Sequence, residues 1–179
     1  EDLIPTTWAE YIWVMSGIPW WIGKIRGHWR VARGRFEGMP YVPETAQRKV
    51  MISTWLQLSM YGGAIALSLA FHHPWFLLYW LLPLAVGQPL LRFILIAEHT
   101  GCPDGDNPLT NTRTTLTLWP VKLLMWNMPF HGEHHLYPSI PFHCLPAAHA
   151  QLAPYLAEVT PGYLRVNRFI IANLSQANS

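Results

Sequence analysis

The pentapeptide His131-Gly132-Glu133-His134-His135 is the densest grouping of metal-binding side chains in the sequence. At about 100° per residue of helix, its three imidazoles fall within one face. Three neutral nitrogen donors on one face suit zinc, iron or copper, whereas calcium and magnesium prefer oxygen. The plain alternative is a patch of surface histidines. Two other metal chemistries fail on the residues themselves. His131-Gly132-Glu133 contains the His-x-Glu of a zinc deaminase, but no Pro-Cys-x-x-Cys follows it. A metalloprotease helix needs His-Glu-x-x-His, and here the glutamate stands in the wrong place.

Further ligands must come from elsewhere in the chain, and Glu98-His99 is the strongest source. Gln88, Arg92 and His99 are spaced by four and seven residues, so a helix presents them on one side. Polar groups within or at the mouth of an apolar helix are costly and face an interior polar site more often than lipid. Arg92 has a second reading, as a side chain that reaches out to headgroups. His99 is expected to be a ligand and Glu98 to orient one.

The elements carrying these residues read as membrane helices. A bilayer crossing takes about 20 apolar residues. Residues 51–71 hold no charge, and residues 75–97 are interrupted only by Gln88 and Arg92. His72-His73-Pro74 between them allows nothing longer than a hairpin turn. Gly62, Ala66 and Ala70 recur at four-residue spacing, the small-residue seam by which membrane helices approach. Basic residues precede the first span and follow the second, while the turn has none. By the positive-inside tendency both flanks are expected in the cytoplasm. Three segments result: a cytoplasmic and interfacial segment 1–50, a transmembrane hairpin 51–97, and a cytoplasmic histidine region with its tail, 98–179. Tyr11 to Arg35 mixes four tryptophans with five Arg or Lys residues, a composition suited to the headgroup layer. Residues 116–128 read as helical, with Pro120 and Pro129 as kinks or ends, and five later prolines delay any long helix until the end of the tail.

Composition agrees. Of the 179 residues, 51% are hydrophobic and only 12% charged, where soluble domains carry about 25% charge. A net charge of +2 excludes a nucleic-acid binder, which needs a dense basic stripe. Two cysteines, Cys102 and Cys144, make no disulfide framework and read as packed thiols.

His131-x-x-His134-His135, followed by residues 136–146 (Leu-Tyr-Pro-Ser-Ile-Pro-Phe-His-Cys-Leu-Pro), resembles the third histidine box of the integral-membrane fatty acid desaturases. The likeness extends to residues 97–103 (Ala-Glu-His-Thr-Gly-Cys-Pro), 111–115 (Asn-Thr-Arg-Thr-Thr) and 126–129 (Trp-Asn-Met-Pro). It implies an all-α membrane protein, part of a four-span body, with a histidine-ligated, non-haem di-iron centre on the cytoplasmic face. It also implies desaturation of an acyl chain with O2 and electrons from a ferredoxin or a cytochrome b5. On this reading His99, His131, His134 and His135 are the iron ligands. Glu98, Asn127, Glu133, His143 and His149 are candidates to orient them.

The family's two earlier boxes, His-x(3–4)-His and His-x(2–3)-His-His, have no counterpart here. His28 stands alone, and His72-His73 lie in the outer turn. The chain, opening at Glu1, is therefore expected to be the C-terminal half of such an enzyme, with donors enough for one metal. Two alternatives stay open: a lipid, sterol or carotenoid hydroxylase or ketolase built on the same boxes, and a non-catalytic membrane metal-binding protein.

Overall fold

The computed structural model describes residues 4–174. The chain divides into two compact units, one formed by residues 16–89 and the other by the residues up to Met15 together with those from Leu90 onward.

The unit of residues 16–89 begins with α2 (Ile18–Ala32), which follows the short helix α1 (Trp8–Met15). Helix α3 (Glu44–Ala70) starts after the extended Pro43 and so begins seven residues before Met51, where the uncharged run starts. Ser68 Oγ accepts a hydrogen bond from the Phe76 backbone N–H at 3.0 Å and helps close the hairpin turn, where His72 takes φ 51°. The return helix opens with a widened π-helical turn, Leu77–Leu81, and continues as α4 (Leu82–His99). Pro83 lies just beyond that turn, and its ring crowds the carbonyl four residues back, which a widened turn relieves. Two helices, Glu44–Ala70 and Leu77–His99, are therefore long and apolar enough to cross a membrane. Their large side chains point outward: Met60 is 74% exposed and Leu69 70%.

The other unit holds the last turns of α4, then β1 (Arg113–Leu116), α5 (Trp119–Leu124), α6 (His131–Leu136), α7 (Leu145–Leu152), β2 (Glu158–Pro161) and α8 (Tyr163–Leu174). Most of the chain is helical, as expected, but β1 and β2 form a two-stranded parallel sheet that an all-α reading omits. Its register pairs Arg113 with Glu158 and Thr115 with Thr160. β-branched Thr114 and Thr115 favour the strand, yet its partner lies more than forty residues away. Of the expected helix 116–128, only Trp119–Leu124 is helical. Leu116 belongs to β1, and Trp126 and Asn127 turn the chain at φ 52° and 56°.

The apolar core of this unit joins Tyr11, Ile96, Ala97, Tyr163, Val166, Ile170 and Leu174. Polar groups are buried with it, and Arg113 and Asn167 each make several hydrogen bonds there. Arg113 Nη1 donates to the carbonyls of Ala97 (2.7 Å) and Thr100 (2.9 Å), capping the C-terminal end of α4. A cation suits that end, where carbonyls lack intrahelical donors. Asn167 donates to the carbonyls of Phe93 and Tyr163, both at 2.9 Å, and accepts from the Tyr11 hydroxyl at 3.1 Å.

Candidate metal centre

Two elements carry the converging histidines. His99 ends α4, and the short helix α6 brings His131 and His135 one turn apart on the same face. Their ligating atoms all lie within 4.8 Å of one another. The Nε2 atoms of His99 and His131 face each other at 2.9 Å. The ring of His135 stands 4.4 Å from that of His131 and 5.2 Å from that of His99, centroid to centroid.

The strand β1 holds α6 in place. Gly132 packs against it so closely that a Cβ would lie 3.2 Å from Thr114 Oγ1 and 3.1 Å from Leu156 Cδ2. Through that gap the Gly132 N–H donates to Thr114 Oγ1 at 3.2 Å, and the same hydroxyl donates to Glu133 Oε2 at 2.5 Å. Glu133 is fully buried, and its second oxygen is bonded to His149 Nδ1. Just before the helix, the Thr115 N–H donates to the Pro129 carbonyl at 2.9 Å. Three linked side chains, Thr114, Glu133 and His149, and one glycine thus pin the box from behind, leaving the imidazoles on the opposite face.

Protonation favours ligation. Burial, together with the neighbouring His135, His99 and His134, lowers the pKa of His131 from its usual 6.5 to about 3. Burial and its neighbours His99 and His134 lower His135 as well. Both rings are therefore neutral at pH 7 and offer lone pairs. His99 Nδ1 faces the Asn111 carbonyl at 3.3 Å, a contact that places the proton on Nδ1 and frees Nε2. His131 Nδ1 lies 3.7 Å from Glu98 Oε2, the carboxylate–histidine arrangement that orients metal-bound imidazoles.

This donor set fits one transition-metal ion. All three donors are nitrogen, and buried His131 Nδ1 has no hydrogen bond of its own. A cavity of about 350 Å³ opens beside His99, lined by Arg92, Leu95, Ile96 and Thr100 among others.

Each residue singled out in the sequence has a definite place. His134 stays at the edge of the trio, its ring centroid 6.4 Å from His131 and 5.9 Å from His135. Glu98 faces His131, while Glu133 and His149 bond each other behind it. Asn127 donates instead to the Phe142 carbonyl at 3.1 Å, and the His143 ring packs edge-on to Phe142. Burial raises the Cys102 thiol, and both cysteines are free. Sequence reasoning gave no part in the site to Thr114, Gly132 or Asn111, and read Arg113 only as a basic flank. Residues 111–115 stood out through the family likeness and as a polar run between apolar segments, whose burial nothing local reveals.

Comparison with known proteins adds one finding. No curated protein and no solved structure matches the chain. A family model described as fatty acid desaturase matches residues 4–167, which is nearly the whole sequence. The chain belongs to the fatty acid desaturase family, whose members are membrane-associated oxidoreductases of fatty acid metabolism.

Proposed function

We propose that this chain contributes the third histidine box and its supporting helices to an acyl-chain desaturase. The observation that carries the reading is the convergence of His99, His131 and His135, neutral and oriented from behind, beside a cavity in the same unit. His99, His131 and His135 would hold one iron of a non-haem di-iron centre, and His134 at the edge would reach toward the second. Such a centre, when bound, supplies the oxidising power needed to take hydrogen from an unactivated methylene using O2. The balanced reaction removes two hydrogens from adjacent carbons and forms a C=C bond. O2, two electrons and two protons are consumed, and two water molecules leave. The electrons come from a ferredoxin or cytochrome b5-type donor.

The remaining residues prepare the site. The Asn111 carbonyl orients His99, Glu98 faces His131 Nδ1 from 3.7 Å, and Glu133, Thr114 and His149 hold the helix that bears His131 and His135. Apolar Leu95 and Ile96 line the cavity beside His99 and keep water from the reacting carbon. The chain is a multi-pass membrane protein with this box on the cytoplasmic side, as the basic flanks favour.

The deciding experiment expresses the enzyme as encoded, supplies an acyl lipid and the electron donor, and analyses products by mass spectrometry. Loss of two mass units, abolished by His131→Ala with membrane expression unchanged, is expected. Gain of 16 mass units would replace desaturation by hydroxylation, and wild-type turnover in His131→Ala would remove the box from the chemistry. For topology, an impermeant reagent added to intact cells should label His72→Cys and leave Lys122→Cys untouched.

A further inference from the structure

The helix α2 is tied at both ends to the two spans of its own unit. At its start, Gly17 sits so close to α4 that a Cβ would lie 2.8 Å from the Gln88 Cβ. Near its end, His28 Nε2 meets Gln57 Oε1 at 2.8 Å, and Trp55 Nε1 donates to the Ala32 carbonyl at 3.1 Å. Gln57 and Trp55 stand about 20–23 Å along α3 from the hairpin turn, and Gln88 stands about 20 Å along the return helix, at about 1.5 Å per residue. Both ties therefore fall at one level, and α2, itself about 22 Å long, runs crosswise between the spans as the base of a triangle. A helix crosswise to two membrane spans lies in the membrane plane. With sides of about 20–23 Å and a base of about 22 Å, α2 lies about 17–20 Å from the turn, which for a hydrocarbon layer about 30 Å thick is about 10–13 Å inside the near boundary. That is close to the deep end of the roughly 5–10 Å to which interfacial amphipathic helices bury their apolar face, and long arginine side chains reach outward from it.

Its surface is patterned for that position. At 100° per residue, Ile18, Ile22, Ile25 and Trp29 form one stripe, and Ile18, Ile25 and Trp29 are 45%, 66% and 58% exposed. Arg26, Arg30 and Arg33 form a second stripe about 80° away. Helix α2 contains no acidic residue. Arg30 is shared with Glu37 at 3.8 Å, while Arg26 and Arg33, both exposed, have no carboxylate within ion-pair distance among the described residues. The Arg33 guanidinium stacks over the Trp29 ring at 4.1 Å, which directs it along the border between the stripes. A guanidinium held at that border meets phosphate with two parallel N–H donors.

We propose that α2 is an in-plane interfacial helix whose Arg26–Arg33 edge binds the phosphates of anionic phospholipids. The proposal rests on the membrane reading of the two spans and is independent of the metal centre. Resistance of the protein to alkaline carbonate extraction tests the membrane reading separately.

The test reconstitutes the full chain in phosphatidylcholine vesicles and adds spin-labelled phosphatidylglycerol or spin-labelled phosphatidylcholine. Electron paramagnetic resonance then reads the fraction of each that is motionally restricted at the protein surface. Wild type should prefer phosphatidylglycerol about fivefold or more at low salt, since each surface arginine contributes about that factor. The preference should fall in 0.5 M NaCl and vanish in R26Q/R33Q, and it should be partly kept in R26K/R33K, which carries the charge without the fork. Equal restriction of both lipids by wild type overturns the proposal without any variant. Retention of the preference in R26Q/R33Q overturns it too. If that variant keeps the lipid preference but loses binding of an acidic soluble electron carrier, the edge is a protein-docking surface instead.

Discussion

The two units of this chain use burial in opposite ways. Residues 16–89 expose their apolar side chains and bury little: Met60, Leu69 and Tyr79 are at least 70% exposed, whereas Gln88 is 6% exposed. In the unit that carries the histidines, Thr112, Arg113, Thr114, Thr115 and Glu133 are all at most 3% exposed, and Phe130, Ala97 and Val166 are buried among them. One unit presents an apolar surface of the kind that lipid covers. The other folds a core around polar groups that hold the histidine cluster. The contrast teaches that stability in the first resides in the surroundings, and in the second in specific bonds that a single atom can break.

The sharpest way to break the contrast is at the trio itself. His131→Ala should abolish turnover while the protein remains in the membrane, because one of three converging nitrogen donors is lost. Next comes the support behind it. Glu133→Ala leaves His149 and Thr114 without their shared partner and should destabilise the histidine unit by about 1–3 kcal/mol, the cost of leaving a buried polar group unsatisfied. Chemical denaturation monitored by circular dichroism in detergent would check this. An undisturbed midpoint would make the pair incidental.

In the other unit, the same kind of change should act on insertion. Met60→Arg places a charge near the middle of α3 and should cost about 2.5–3.5 kcal/mol of insertion, whereas Met60→Leu should be silent. A glycosylation-based insertion assay reads the difference. If Met60→Arg inserts as well as wild type, α3 is not a lipid-facing span.

A smaller effect sharpens the electrostatics of the metal-free trio. His131 stays neutral when folded but takes a proton near pH 6.5 when unfolded, so the unfolded state binds more protons below that pH. Stability of the histidine unit should therefore fall as pH drops from about 6.5 toward 3, by at most about 1.4 kcal/mol per pH unit for this group. His131→Phe should flatten the slope. The smallest change is expected at the exposed Arg30–Glu37 pair, where Glu37→Gln should shift stability by less than about 1 kcal/mol.

How much of this was legible in sequence follows the range of each signal. The spans were legible because the absence of charge over twenty residues needs no partner to interpret. Helix α6 and its one-sided histidines were legible because helical spacing is local, and so was the link to His99 through the motif that contains it. The sheet was not, since β1 is four residues long and takes its meaning from Glu158–Pro161. Arg113 read as a basic residue following a span, whereas its guanidinium is buried on two carbonyls that close α4. His134 was expected with its neighbours, but on a helix it diverges from His135 by about 100°, and only the position of His99 decides which of the two joins His131. Glu133 and His149 are sixteen residues apart, and nothing local distinguishes their mutual bond from two separate surface groups.

The parallel pairing of Arg113–Leu116 with Glu158–Pro161 has a consequence for the order of events during synthesis. Everything that pins α6 lies within or at the edges of the loop this pairing closes, including His149 and Leu156. As the chain emerges from the N-terminal side, the unit of residues 16–89 is complete early, and its contacts are comparatively local and quick to form. The histidines of α6 emerge later and have no fixed arrangement until the strand at Glu158 has been made and has travelled back to β1. Closing a loop of some 45 residues costs about 3 kcal/mol of chain entropy. Assembly of the donor set is therefore the slow, late step of maturation. A nascent chain halted at Leu152 would already carry every histidine of the site and still lack the strand that closes the loop around them.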